Sequence, residues 1–204
     1  MLRPTWRRSE MTQERPAIYR RLMASGGRGD LFDRHLFACT VAAALTQSEK
    51  PLEEYLGLTP PVLRLLMAAY FPHYRLDLSG HFKLEEEAIE EEDFRLLLLQ
   101  HRARGVPEEE WLASIVARRA QANNHLWEDL GYAERGDLNG MFQRHFPSLF
   151  AQNDKNMRWK KFFYRLMCET EGLRLCKSPN CADCPDMVSC FEDESPLLQN
   201  KKTG

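Results

Sequence analysis

The sequence predicts an all-α protein: a helical domain that carries a cysteine-rich metal-cluster loop towards its C-terminus. Three observations carry that expectation. Several windows repeat apolar residues at helical spacing, no well-spaced set of alternating β-branched runs is present, and four of the six cysteines crowd into residues 176–190. A length of 204 residues suits one compact domain, or one domain with a small appendage. With 43% hydrophobic and 28% charged residues, composition excludes a disordered chain or a fibre.

The elements can be justified in order. Residues 1–24 read as an arginine-rich segment with freedom to move, and 25–175 as the helical domain. After the turn SGGRGD (25–30), Leu31, Phe32, His35, Leu36, Cys39, Ala42 and Ala43 fall at i, i+3 and i+4 steps, one apolar stripe of a helix. Thr59 followed by Pro60 and Pro61 reads as an N-cap with proline in the first turn, and Pro72 closes that element. Leu84 to Arg104 reads as one helix that opens with seven acids in the nine positions 85–93 and ends on bases, an order that complements the helix dipole. A solvated face accounts for that acidic run. Pro107 opens a further helix, again acid-first and base-last. From Asn123, glycines at 131, 136 and 140 and Pro147 break the chain into two short helices. Met157–Thr170 reads as a clean amphipathic helix with Trp159, Phe162, Phe163, Leu166 and Met167 on one stripe, and with Tyr164 and Cys168 on the far side. Residues 176–190 form the cysteine loop, and 191–204 read as a flexible tail.

A net charge of −2 argues against a protein built to neutralise a nucleic-acid backbone. No apolar run approaches the roughly 18 residues of a membrane span. The arginine-rich N-terminus has no apolar stretch behind its charges, so it does not read as an export signal. The expectation is therefore a cytoplasmic chain in a reducing compartment, where structural disulfides rarely persist. There a tight cysteine cluster is more often a metal site than a disulfide knot.

The spacing is Cys176-x4-Cys181-x2-Cys184-x5-Cys190. Pro179 and Pro185 favour turns, so the chain wraps around something rather than forming a helix or strand. A tetrathiolate wrap suits either an iron–sulfur cluster or a structural zinc. Zinc usually takes two cysteine pairs held apart by a longer spacer of about a dozen residues or more, so one close pair among four favours the cluster. Residues 158–177 hold six bases (Arg158, Lys160, Lys161, Arg165, Arg174, Lys177) against Glu169 and Glu171, a local +4. Such cations would moderate the negative charge of a thiolate-bound cluster, though each reads more simply as part of a wet helix face. By charge alone the basic helix 158–165 is a candidate docking surface for an acidic partner, with reversal at Lys160 and Lys161 as its test.

At these residues the chain resembles a known family. NHLWEDLG (124–131), the following FPSLFAQN, and MRWKKFFYRLMCETEGLRLCKSPNCADCPDMVSCF resemble NifQ, with the four loop cysteines matching the family pattern C-x4-C-x2-C-x5-C in full. The match is strong over roughly residues 120–191. The resemblance implies a non-enzymatic carrier of molybdenum in a mixed molybdenum–iron–sulfur cluster, or a [3Fe-4S] or [4Fe-4S] precursor of it, that serves nitrogenase iron–molybdenum cofactor synthesis. The nitrogenase iron protein and the cofactor-assembly scaffold are the partners it implies. Thiolate and sulfide favour soft, reduced metal states over hard oxo ones. On this reading three of the four cysteines hold iron and the remaining position faces molybdenum.

Cys168 could supply a fifth thiolate, and His125 a nitrogen ligand. Burial and packing are the simpler readings of both. Cys39 reads as core. His35, His73, His81, His101 and His145 show no metal-ligand spacing with one another. Two other classes share features with this chain. A helical iron–sulfur DNA glycosylase shares the last two cysteine spacings, but the helix–hairpin–helix it needs to grip phosphates is missing from this sequence. A zinc-stabilised interaction module would use the loop only to hold the chain end.

Overall fold

A computed structural model describes residues 8–47, 50–76 and 89–170. Those residues form ten helices and no strand: α1 (Arg8–Ala24), α2 (Leu31–Gln47), α3 (Leu52–Leu56), α4 (Pro60–Tyr70), α5 (Ile89–Gln100), α6 (Pro107–Ala120), α7 (Leu126–Asp129), α8 (Arg135–His145), α9 (Pro147–Gln152) and α10 (Trp159–Thr170). The all-α expectation holds for them. No helix among them is long and apolar enough to cross a membrane.

Helix α2 is the centre. Asp30 caps it, accepting from the Asp33 N–H at 2.9 Å, which gives the RGD triplet a structural use. Burial runs almost all round the helix from Leu36 to Ala44, as a helix in the middle of a core requires. Its alanines let neighbours approach closely. The expected stripe is therefore corrected at its start, because Leu31 is 72% exposed. Helix α1 packs along α2, and its Leu22 is fully buried. Residues 8–24 thus belong to the helical body rather than to a segment apart from it.

Thr59 sits in extended backbone ahead of Pro60 and Pro61, yet its side chain makes no capping bond. The fixed proline φ is enough to start α4. Helix α5 stops at Gln100, short of the expected Arg104, because the chain turns there towards α6. Glu109 causes that turn: its buried carboxylate accepts from the backbone N–H groups of Arg104, Gly105 and Val106 at 2.7–3.3 Å. The fully buried His145 brings α8 to the same place, with Nε2 3.0 Å from Asp33 and Nδ1 4.0 Å from Glu109. One acid of the run at 85–93 leaves the wet face. Glu91 is 4% exposed and lies 2.9 Å from Arg118 of α6.

Three short helices, not two, follow Asn123. Gly131 joins α7 to the turn before α8 at φ +80°, and a Cβ there would lie 2.6 Å from Ala43 Cβ and 2.8 Å from the Cys39 carbonyl. Both obstacles belong to α2 and neither can swing away. Gly131→Ala is expected to cost about 1–3 kcal/mol in chemical denaturation, combining the left-handed backbone with the clash. An unchanged midpoint would contradict this account of the α2–α7 contact.

Candidate metal centre

The helix that leads into the cysteine loop is α10, and the body grips it hard. Asn153 and Met157 exchange reciprocal hydrogen bonds at 2.7 and 3.0 Å, so the helix begins at Trp159 rather than Met157. Trp159 stacks on Phe142 of α8, with centroids 3.6 Å apart and planes at 17°, and its indole N–H donates to Asn139 at 2.8 Å. Phe162 and Phe163 are buried beside it, as the stripe requires. Tyr164 corrects the expectation for the far side. It is 7% exposed and packs edge-on to Phe94 of α5 at 5.0 Å. The helix lies between α8 and α5, so its buried arc is wider than one stripe.

Cys176, Cys181, Cys184 and Cys190 lie outside the described residues, as do Arg174 and Lys177. Cys168 is placed by its backbone in the last turn of α10. His125 is the N-cap of α7, where its backbone N–H donates to Glu128 at 2.9 Å. Its ring nitrogens lie 2.7 and 3.1 Å from Nη1 of Arg158, a guanidinium that can only donate. A rise of about 1.5 Å per residue sets Cys168 roughly 15 Å along α10 from Arg158.

The bases of this helix are not uniformly a wet face. Lys160 is 15% exposed; its ammonium donates to Asp129 Oδ2 and to the Ala122 carbonyl, both at 2.6 Å. Asp129 is 2% exposed on the side chain. This buried pair pins α10 to α7. Arg165 stays exposed, in contact with Met157 sulfur at 3.8 Å.

A second feature was not legible in the sequence. A cavity of about 1030 Å³ opens between α1, α2, α3, the end of α6 and α7. Cys39 borders it, with sulfur 3.7–3.8 Å from the His35 ring, and the Tyr19 hydroxyl lies 2.9 Å from His35 Nδ1. The one signal available was the i, i+4 spacing of His35 and Cys39, which puts both on one face. Cys39 is 8% exposed, in keeping with its reading as core. Burial, and then the carboxylate of Asp137, push its thiol up to about 12 against a weaker opposing pull from Arg15. At pH 8 the folded chain should hold about a thousandfold less Cys39 thiolate than the unfolded one. Site-resolved mass spectrometry after iodoacetamide treatment is expected to find Cys39 unmodified in native protein and labelled in urea. Stability from this group is present below about pH 9 and lost as the pH rises towards 12. Among the described residues, no group of three or more His, Cys, Asp or Glu side chains is disposed to hold a metal ion.

A family model described as NifQ matches residues 36–192, which takes in the body from α2 through α10 and all four loop cysteines. Protein NifQ homolog of Sinorhizobium fredii (strain NBRC 101917 / NGR234) is 40% identical over 179 residues, covering 81% of this chain and 76% of that protein. Protein NifQ of Rhodobacter capsulatus is 41% identical over 142 residues, covering 69% of this chain and 78% of that protein. For Protein NifQ of Azotobacter vinelandii the figures are 47% over 111 residues, 54% and 57%. No solved structure matches this chain. These likenesses define an accessory protein of nitrogen fixation. The chain belongs to the NifQ family.

Proposed function

We propose that this protein is a molybdenum carrier, which holds the metal in a molybdenum–iron–sulfur cluster and delivers it for synthesis of the nitrogenase iron–molybdenum cofactor. The observation that carries this reading is the C-x4-C-x2-C-x5-C run inside the stretch matched to the family. The donor set fits the cargo by its chemistry: four thiols within fifteen residues supply soft, anionic ligands suited to iron–sulfur and reduced heavy-metal centres. Cys176, Cys181, Cys184 and Cys190 would hold it, with Cys168 as a candidate reserve thiol.

The chain's own contribution is positional. Clamped by Trp159 and by the Lys160–Asp129 pair, α10 gives the loop a fixed point of departure. The carrier is not a turnover enzyme. Its recipients on this reading are the nitrogenase iron protein and the cofactor-assembly scaffold, and its compartment is the cytoplasm.

Elemental analysis of anaerobically purified protein tests the reading. A brown protein with iron, sulfide and molybdenum is the expected result. Iron and sulfide that never acquire molybdenum on supply with reductant would refute the carrier role, and a colourless zinc protein would establish a structural module instead.

A further inference from the structure

One wall of the cavity beside α2 is held differently from the rest. Arg15, Pro16 and Tyr19 of α1 line it, and Pro16 lies in the interior of that helix, Arg8–Ala24. A proline there has no N–H to offer the carbonyl of residue 12, and its ring crowds that carbonyl. The ladder of backbone bonds lacks a rung at this point, which is where a helix bends most easily.

The two halves of α1 are anchored unequally. After Pro16, Leu22 is fully buried, and Ile18, Tyr19 and Met23 pack against the core. The Tyr19 hydroxyl lies 2.9 Å from His35 Nδ1, and the Arg21 guanidinium lies 5.3 Å from the Tyr74 ring centroid. The Ser25 hydroxyl then closes the helix by donating to the Leu22 carbonyl at 2.7 Å. Before Pro16, Glu14 is exposed. Among the described residues, the one side-chain tie from this half to the body is Arg15, which donates to the Gly131 carbonyl in the turn after α7.

That tie joins two walls of the cavity beside Cys39. A Cβ built on Gly131 would meet Arg15 Nη2 at 2.7 Å and the Cys39 carbonyl at 2.8 Å, so the guanidinium and this turn of α2 converge on one spot. The thiol there is 8% exposed.

We propose that residues 8–15 form a strap, hinged at Pro16 and latched by Arg15 on the Gly131 carbonyl, which opens to admit small solutes to the wall that Cys39 forms. About two turns of helix cannot hold in water by themselves, so the strap unravels as it leaves and re-forms as it seats. The half after Pro16 stays on α2 throughout. Nothing in this device depends on what the loop cysteines hold.

Iodoacetamide labelling of Cys39, followed by site-resolved mass spectrometry on the full chain, tests the strap together with amide hydrogen exchange. Arg15→Ala is expected to speed labelling about tenfold over the native chain, in line with the loss of one charged hydrogen bond. The direction discriminates between roles. Arg15 pulls the Cys39 thiol down, so without its charge the thiolate becomes scarcer, and a purely electrostatic role gives slower labelling. Adding Pro16→Ala to Arg15→Ala restores the missing backbone donor and should reverse most of the gain. In the native chain, the amides of residues 12–15 should exchange together about tenfold faster than those of 20–24, as a step across the proline. Exchange at Leu36–Ala44 should be equal in native and Arg15→Ala chains. Labelling that slows or stays unchanged in Arg15→Ala, exchange that declines evenly along α1, or faster exchange at Leu36–Ala44 in step with labelling would overturn the strap.

Discussion

A chain with serine at Cys176, Cys181, Cys184 and Cys190 is expected to emerge from anaerobic reconstitution with iron, sulfide and molybdenum at background. The native chain should retain all three. Serine keeps nearly the same volume but replaces a thiol that ionises near neutral pH with a hydroxyl that does not, so it removes the soft anionic donors and little else. Far-UV circular dichroism should not change. The body draws stability from Phe142, Trp159 and Phe163 and from the burial of α2, all within the described residues. Four single variants should each lose part of the metal, and unequal losses would identify the cysteine that faces molybdenum. Full retention by the fourfold variant would remove the basis of the carrier role.

Lys160→Glu is expected to destabilise the chain by about 3–5 kcal/mol, the usual result of leaving a buried charge without its partner. Asp129 would then face a second carboxylate at a position where its side chain is 2% exposed, and the Ala122 carbonyl would lose its donor. Urea unfolding followed by tryptophan fluorescence suits the measurement, since Trp159 is the neighbouring residue. Lys160→Met should cost less than the reversal. A shift below 1 kcal/mol for the reversal would show the pair to be incidental. This changes how a docking surface on α10 can be sought. Loss of metal transfer after reversing Lys160 would report a damaged fold, so the exposed Arg165 is the better position for that question.

Much of the fold was legible because it rests on local signals. The Pro60–Pro61 and Pro107 starts, the polar turn before α2 and the aromatic stripe of α10 each depend on a few neighbouring residues. What was not legible depends on partners far along the chain. Glu109 looks like one more acid in a first turn, yet it is fully buried and organises residues 104–106. Lys160 looks like one base among six, and only the arrival of Asp129 shows that it is an internal tie. Tyr164 falls off the apolar stripe, and its burial follows from α5 covering the side that periodicity assigned to solvent. The candidate metal ligands were the opposite case, since four cysteines in one short run need no long-range contact to be recognised. The cavity beside α2 exists only once five separate segments have come together.

The tie between Lys160 and Asp129 also bears on how small a working fragment can be. A peptide beginning at Met157 would carry every thiol of the loop, but it would leave behind the counter-ion of its own lysine and the phenylalanine under its tryptophan. The helix that precedes the sulfur-bearing segment and the residues around Asp129 are one mechanical part, divided only in the order of the chain. Grafting the sulfur-bearing segment onto another scaffold would transplant the ligands without their foundation.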